Sequence, residues 1–175
     1  ITLQGVGGMV NMVSTGLIPN GKGIFITDGN ITINNFTFSG ALVADYNGAG
    51  IRQQTGNLVL NNDGFFHNEM GVLTGNSGSL TVNNSEFAYN GVAPGLGAIG
   101  HGLYANFITS LTINNSYFHE NSVGHEIKSR ALSTTITNSR IYDLNGTASY
   151  SIDLPDGGNA LIQNNVIEQG PLSQN

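Results

Sequence analysis

The sequence predicts an all-β fold: a single-stranded right-handed parallel β-helix (a β-solenoid) of about six to seven coils, with an asparagine ladder, spanning residues 1–175 as one domain. Three observations predict it. A short strand phrase recurs at intervals of 22–31 residues. Its apolar residues alternate with period two, and β-branched residues dominate it. Glycine and asparagine, 25 and 24 residues, supply a turn residue at every corner.

The phrase is apolar–x–apolar, one residue, Asn, and then an apolar residue three positions on. It reads Ile31-Thr-Ile33-Asn-Asn35 with Phe38, and Leu58-Val-Leu60-Asn-Asn62 with Phe65. Leu80-Thr-Val82-Asn-Asn84 with Phe87 and Leu111-Thr-Ile113-Asn-Asn115 with Phe118 repeat it. Thr134-Thr-Ile136-Thr-Asn138 with Ile141 and Ala160-Leu-Ile162-Gln-Asn164 with Ile167 are looser copies, and Ile1-Thr-Leu3-Gln-Gly5 lacks the asparagine. Asparagine takes left-handed backbone geometry at low cost and hydrogen-bonds nearby backbone. Stacked coils therefore align Asn35, Asn62, Asn84, Asn115, Asn138 and Asn164, each amide bonding the next and pointing inward. That inward direction argues against glycosylation of sequons such as Asn35-Phe-Thr37.

A second strand precedes each phrase, with Ile24, Ile51, Val72, Leu103, Ile127 and Ile152 pointing in. From these residues to the ladder asparagine is 11, 11, 12, 12, 11 and 12 residues, whereas the return to the next such strand takes 16, 10, 19, 12 and 14. Length variation is thus confined to one loop column, whose long members are Ser39–Ala49, Asn90–His101 and Asp143–Tyr150.

Composition excludes several classes. Only 9% of residues are charged while apolar content is ordinary, which argues against disorder. A net charge of −6 argues against nucleic acid as a partner. Without cysteine there is no thiol chemistry or disulfide. No apolar run reaches a membrane span, and no signal peptide is visible. The chain opens on the strand-like Ile1-Thr2-Leu3 and stops at Gln174-Asn175 without a cap, so a fragment of a longer β-helix is expected.

Alternation places Phe25, Arg52, Leu73, Tyr104, Lys128 and Asp153 outward on one sheet. A preceding outward column is mostly glycine, then Glu126 and Ser151. Lys22, His101, His125 and Tyr150 lie just before it, and Arg130 two beyond Lys128. Four of the five cations thus fall on or beside one face, and the long loops can wall it. The other face carries Thr32, Thr81, Thr112 and Thr135 beside Asn34, Asn61, Asn83 and Asn114, with almost no charge. Lys128, His125, Arg130 and Tyr104 are the candidate catalytic residues, since a lysine or histidine removes a carbon-bound proton and a neighbouring cation stabilises the enolate. Arg52, His101, Tyr150 and Asp153 are candidate substrate contacts. Glu126, Asp153 and Asp156 are candidate metal ligands, with Ca²⁺ as the candidate cofactor. An ion-pair ladder on a plain surface is the competing reading. His67 and His119, each after a phenylalanine, are read as corner residues.

With these coils the sequence resembles the bacterial right-handed β-helix repeat proteins, the pectate-lyase-like superfamily, over essentially its whole length. Glu126-Ile-Lys128-Ser129 with the strand to Asn138 is similar to the Glu…Lys-Ser segment of the alginate lyase and chondroitinase B family. The resemblance implies Lys128 as Brønsted base and Glu126 as a calcium ligand. That family carries Arg-His-Gly one coil on, where this chain has Ser151-Ile-Asp153-Leu-Pro155. The functional expectation is an extracellular protein (secreted, cell-surface or periplasmic) that binds an acidic polysaccharide along one sheet face, as a polysaccharide lyase or C5-epimerase or without catalysis. The alternative is a structural or adhesive module of a surface protein or filament whose coils stack end to end.

Overall fold

Three parallel sheets wrap around one apolar core, and the chain visits them in turn for about six turns. The computed structural model describes residues 1–92 and 99–173. Among these there is no helix, so none is long and apolar enough to cross a membrane.

The first sheet holds the recurring phrase, from Thr2–Gln4 and Ile31–Asn34 through Asn57–Asn61, Ser79–Asn83, Ser110–Asn114 and Ser133–Thr137 to Asn159–Gln163. Its register aligns Ile33, Leu60, Val82, Ile113, Ile136 and Ile162, and beside them the Thr/Asn columns on the outer surface. The second sheet is built of short strands, among them Phe36–Ser39, Gly64–Phe66, Glu86–Ala88, Tyr117–His119 and Arg140–Tyr142. Sequence reading treated these as corners after the phrase. The third sheet runs Gly23–Asp28, Ala49–Thr55, Met70–Thr74, His101–Ala105, His125–Ser129 and Tyr150–Asp153.

Phe38, Phe65, Phe87 and Phe118 are fully buried and stack at 5.3, 4.5 and 4.5 Å between successive ring centres. Such stacking adds about 0.5–1.5 kcal/mol per pair to the burial itself. Ile141 extends the column.

The six phrase asparagines adopt left-handed backbone angles as expected, with φ between 49° and 63°. Their side chains do not point inward, however. Asn62, Asn84, Asn115, Asn138 and Asn164 are exposed and Asn35 is half-exposed. A left-handed corner residue projects its Cβ outside the bend. Two amide links form in this column, Asn62 to Asn35 at 2.8 Å and Asn115 to Asn84 at 2.6 Å, while Asn138 bonds Asn114 instead.

The residue after each of these asparagines turns inward and builds the ladder. The Phe36 N–H donates to Asp63, the Asp63 N–H to Ser85, Ser85 to Ser116, Ser116 to Ser139, and Ser139 to Asn165, at 2.7–3.2 Å. A second buried ladder lies at the next corner. The Ala41 N–H donates to Asn68 Oδ1, Asn68 to Asn90, Asn90 to Asn121, and Asn121 to Glu126 Oε1, at 2.8–3.2 Å. Buried carboxylates also hold the variable loops. Glu69 accepts from Val43 and Gly48 at 3.0 and 2.7 Å, and Asp143 from Ala148 at 3.2 Å.

Replacing Asn90 with Ala leaves the buried Asn68 N–H without its acceptor and the Phe65 carbonyl without its Asn90 donor, and the expected loss is about 1–3 kcal/mol in urea unfolding. Asn84→Gly keeps the left-handed turn and removes only an exposed amide link. Its expected change is within about 0.5 kcal/mol. An equal cost for the two would mean that the outer column, not the inner one, carries the corner.

Candidate functional site

Strand alternation breaks on the third sheet, and this decides what faces solvent. Gly50, Gly71 and Gly102 do not form an outward column. A Cβ on Gly71 would meet the Phe87 ring at 2.8 Å, and one on Gly102 would meet Asn121 Nδ2 at 2.7 Å. Two consecutive residues therefore face the core, the glycine and the following Ile51, Val72 or Leu103. The aromatic and amide columns lie so close beneath the glycines that no side chain fits.

Glu126 occupies the glycine position one coil later, and it too points inward. It is fully buried and accepts from the Asn121 backbone and side chain. Burial is the main cause that raises its carboxyl to about 8, opposed by the Asn121 bonds. Its assignment as an outward metal ligand is thereby corrected: it terminates the inner ladder. Among the described residues no three His, Asp or Glu side chains converge as a metal-binding group.

Phe25 is likewise corrected. It pairs in register with Ile51 and packs on the core, leaving Ile26 outward beside Arg52. A one-residue irregularity at Thr27/Asp28 absorbs the shift.

The outward face has two columns. Ala49, Met70, His101, His125 and Tyr150 form one; Ile26, Arg52, Leu73, Tyr104, Lys128 and Asp153 form the other. Toward one end Ala49, Met70 and Leu73 form a small buried apolar cluster with the half-buried Tyr104 packed against it. Toward the other the columns converge on Asp153. One of its carboxylate oxygens lies 3.1 Å from both Lys128 Nζ and His125 Nε2. His101 stacks on His125 at 4.9 Å, and Tyr150 leans on His125 at 5.2 Å. Lys128 lies over the Tyr104 ring at 5.6 Å. Alongside, Arg130 pairs with Asp156 at 3.3 Å and lies over Phe107 at 5.4 Å.

His101 Nδ1 accepts the His125 backbone N–H at 2.9 Å, which fixes the neutral tautomer with its proton on Nε2. Burial, reinforced by His125 and Lys128, pushes its pKa down to about 3. Burial also lowers His125, against the pull of Asp153, and its Nδ1 is buried without a hydrogen-bond partner among the described residues.

The structure thus gathers Tyr104, His101, His125, Lys128, Tyr150 and Asp153, with Arg130 and Asp156 adjoining. Arg52 stands apart from Tyr104, two rungs away across Leu73, or about 10 Å at the usual strand spacing. No carboxylate pairs with Arg52 among the described residues, and burial lowers its pKa. Part of the long Asn90–His101 loop, residues 93–98, lies outside the described residues.

Sequence reading missed a second cluster on the outer surface of the second sheet. His67 and His119 do not occupy matching places. His67 is an exposed left-handed turn residue stacked on Tyr89, whereas His119 is a buried strand residue in register with Ala88 and Tyr142. His119 is held between Glu86 at 3.0 Å and Glu120 at 3.1 Å and stacks on Tyr117 at 4.1 Å. The available signal was the x–apolar–x pattern of Glu86-Phe-Ala88, Tyr117-Phe-His119 and Arg140-Ile-Tyr142.

No family model, curated protein or solved structure matches this sequence.

The buried groups set the pH dependence. Asp63, raised to about 7 mainly by burial, and Glu126 ionise in the unfolded chain near pH 4 but hold their protons longer when folded. The unfolded state then binds fewer protons, so stability falls as pH rises toward about 8. His101 acts oppositely: unfolded it takes up a proton below about 6.5, folded only near 3, so stability falls with acidification through that range. Above about pH 6.5 only the carboxylates slope, so melting temperature should drop between pH 6.5 and 8.5. Asp63→Asn, which places at this rung the residue type already present at Asn165, should shallow that drop. An unchanged slope would refute Asp63 as its source.

Proposed function

We propose that the protein binds an acidic polysaccharide along the outer surface of the third sheet. The observation that carries this reading is the row of cations seated on aromatic rings, Lys128 on Tyr104 and Arg130 on Phe107. A chain with net charge −6 places Lys22, Arg52, Lys128 and Arg130, four of its five cations, on or beside this one face. Parallel strands repeat about every 4.8 Å, so one extended glycan crossing the rungs meets cation and ring in succession. Tyrosine rings offer flat apolar area and a hydroxyl to sugars. The resemblance to the pectate-lyase-like superfamily, in which polysaccharides are common substrates, agrees with this.

Binding is favoured over lyase or epimerase chemistry. Lys128 is engaged by Asp153, which also holds His125. A lysine acting as base on a sugar carbon would first have to leave that pair. Asp153 occupies the coil on which the resembled family carries its second catalytic cation. An extracellular location accords with such a ligand.

A stacking or adhesive module is the second reading, favoured by the end coils. Ile162 and Ile167 are 43% and 46% exposed although their column mates Ile136 and Ile141 are fully buried. On this reading the exposed pair packs against a coil of a second copy. Filaments or end-to-end particles in electron micrographs would support it.

Oligogalacturonate, oligoalginate and chondroitin oligosaccharides test the binding reading by calorimetry. Lys128→Ala and Arg130→Ala should each weaken binding about tenfold, the worth of one charge-assisted contact. Affinity should also fall with added salt. Absence of binding by all three sinks the proposal. Ultraviolet absorbance from an unsaturated uronate product would overturn the preference for binding without cleavage.

A further inference from the structure

We propose a second glycan site, for a neutral oligosaccharide, at the corner between the first and second sheets, which the cationic face does not share. A groove of about 210 Å³ runs there across three coils. Asn84, Asn115 and Asn138 line one side; Glu86, Tyr117 and Arg140, in register on successive strands, line the other.

The asparagines present both hydrogen-bonding senses. Their left-handed backbones, at φ 51°, 49° and 53°, fix where the amides stand. Asn115 Nδ2 donates to Asn84 Oδ1, and Asn138 Nδ2 donates to Asn114 Oδ1. Asn84 Nδ2 and the carbonyl oxygens of Asn115 and Asn138 have no hydrogen-bond partner among the described residues. A row of free donors and acceptors suits sugar hydroxyls, which need one of each. Coils about 4.8 Å apart match the advance of an extended sugar chain, so successive hydroxyls meet successive amides.

The opposite wall is preorganised. Arg140 stacks on Tyr117 at 4.5 Å, Tyr117 stacks on His119, and both His119 ring nitrogens are held by Glu86 and Glu120. On the floor, the Ser85 and Ser116 hydroxyls are committed to the buried ladder, donating to Asn83 O and Asn114 O at 2.8 and 3.0 Å. A ligand therefore pays little ordering entropy in the protein.

The charge balance selects the ligand class. Arg140 has no ion-pair partner among the described residues, yet Glu86 and Glu120 stand close by. A polyanion meets more negative than positive charge here, whereas a neutral sugar chain keeps the Arg140 and amide contacts without that repulsion.

The test titrates the intact chain with cellohexaose, xylohexaose and maltohexaose while following asparagine side-chain amides by NMR. At least one probe should shift the Asn84, Asn115 and Asn138 signals. Arg140→Ala and Asn115→Gly, both exposed positions, should each weaken that binding about tenfold while thermal melting stays near wild type. Lys128→Ala should leave it unchanged. No shift with any probe at millimolar concentration overturns the proposal, as does binding lost in Lys128→Ala but kept in Arg140→Ala. Acidic oligosaccharides titrated in parallel report on the cationic face independently, so either site can fail alone.

Discussion

The whole structure depends on side chains that satisfy the corner N–H groups of the neighbouring coil. Parallel strands pair their backbones along each sheet, but at a corner the chain turns and the regular ladder ends. Each orphaned buried donor would cost about 1–3 kcal/mol. Asp63, Ser85, Ser116, Ser139 and Asn165 meet the demand at one corner, and Asn68, Asn90, Asn121 and Glu126 at the next. Each link but the last reaches one coil along the axis; Asn121 to Glu126 closes locally, five residues on. Coils of very different length, from 22 to 31 residues, are thereby locked in one register.

Function inherits that register. Pairing on both sides holds the strand His125–Ser129 in register, so Lys128 stands between Tyr104 and Asp153, and the local Asn121–Glu126 bond pins the strand's inward side. The same link decides the chemistry of neighbouring charges. Glu126 and Asp153 look alike as acidic residues on adjacent coils, but one closes an interior ladder and the other gathers Lys128 and His125 on the surface. Had both faced outward, the site would have held an acidic pair beside one lysine and suited a cation. With one removed to the interior, the face is left with Lys128, Arg130 and Arg52 against Asp153 and Asp156.

Much of the fold was legible because the phrase strands are four or five residues long and carry a clear period of two. Leu58, Leu60, Leu80, Val82, Leu111 and Ile113 announced their own burial. The asparagines announced their backbone angle but not their direction. A left-handed residue and its successor face opposite ways, and the small polar successors (Asp63, Ser85, Ser116, Ser139) were the overlooked mark of the inner ladder. Outward placement of Lys128, Tyr104 and Arg52 followed from alternation and held. Alternation failed one residue earlier, where the chain bends into the third sheet and two successive side chains face the core. No periodicity signals such a bend; runs of glycine there, replaced once by glutamate, were the only trace. The three-residue strands of the second sheet are too short to show any period, which hid the Tyr117–His119–Arg140 cluster.

A rod of this kind separates functions by geometry instead of by motion. The stacked phenylalanines lie between the faces, and the buried polar links between sheets, such as Asn121 to Glu126 and Ser129 to Thr134, are short and local. The two proposed sites, the cationic face and the asparagine corner, would therefore bind independently of each other. Coupling between them would come from the ligand alone. If both proposed sites bind, a polymer or matrix presenting acidic and neutral chains would engage the two surfaces at once, and the second contact would form at the effective concentration set by the first. Rigid columns favour that outcome, because contacts spaced by the coil repeat are already in place before any ligand arrives. On the proposed readings, modest contacts of about 1 kcal/mol each would together hold an extended glycan, a requirement that a stack of regularly spaced rungs meets more readily than a single deep pocket.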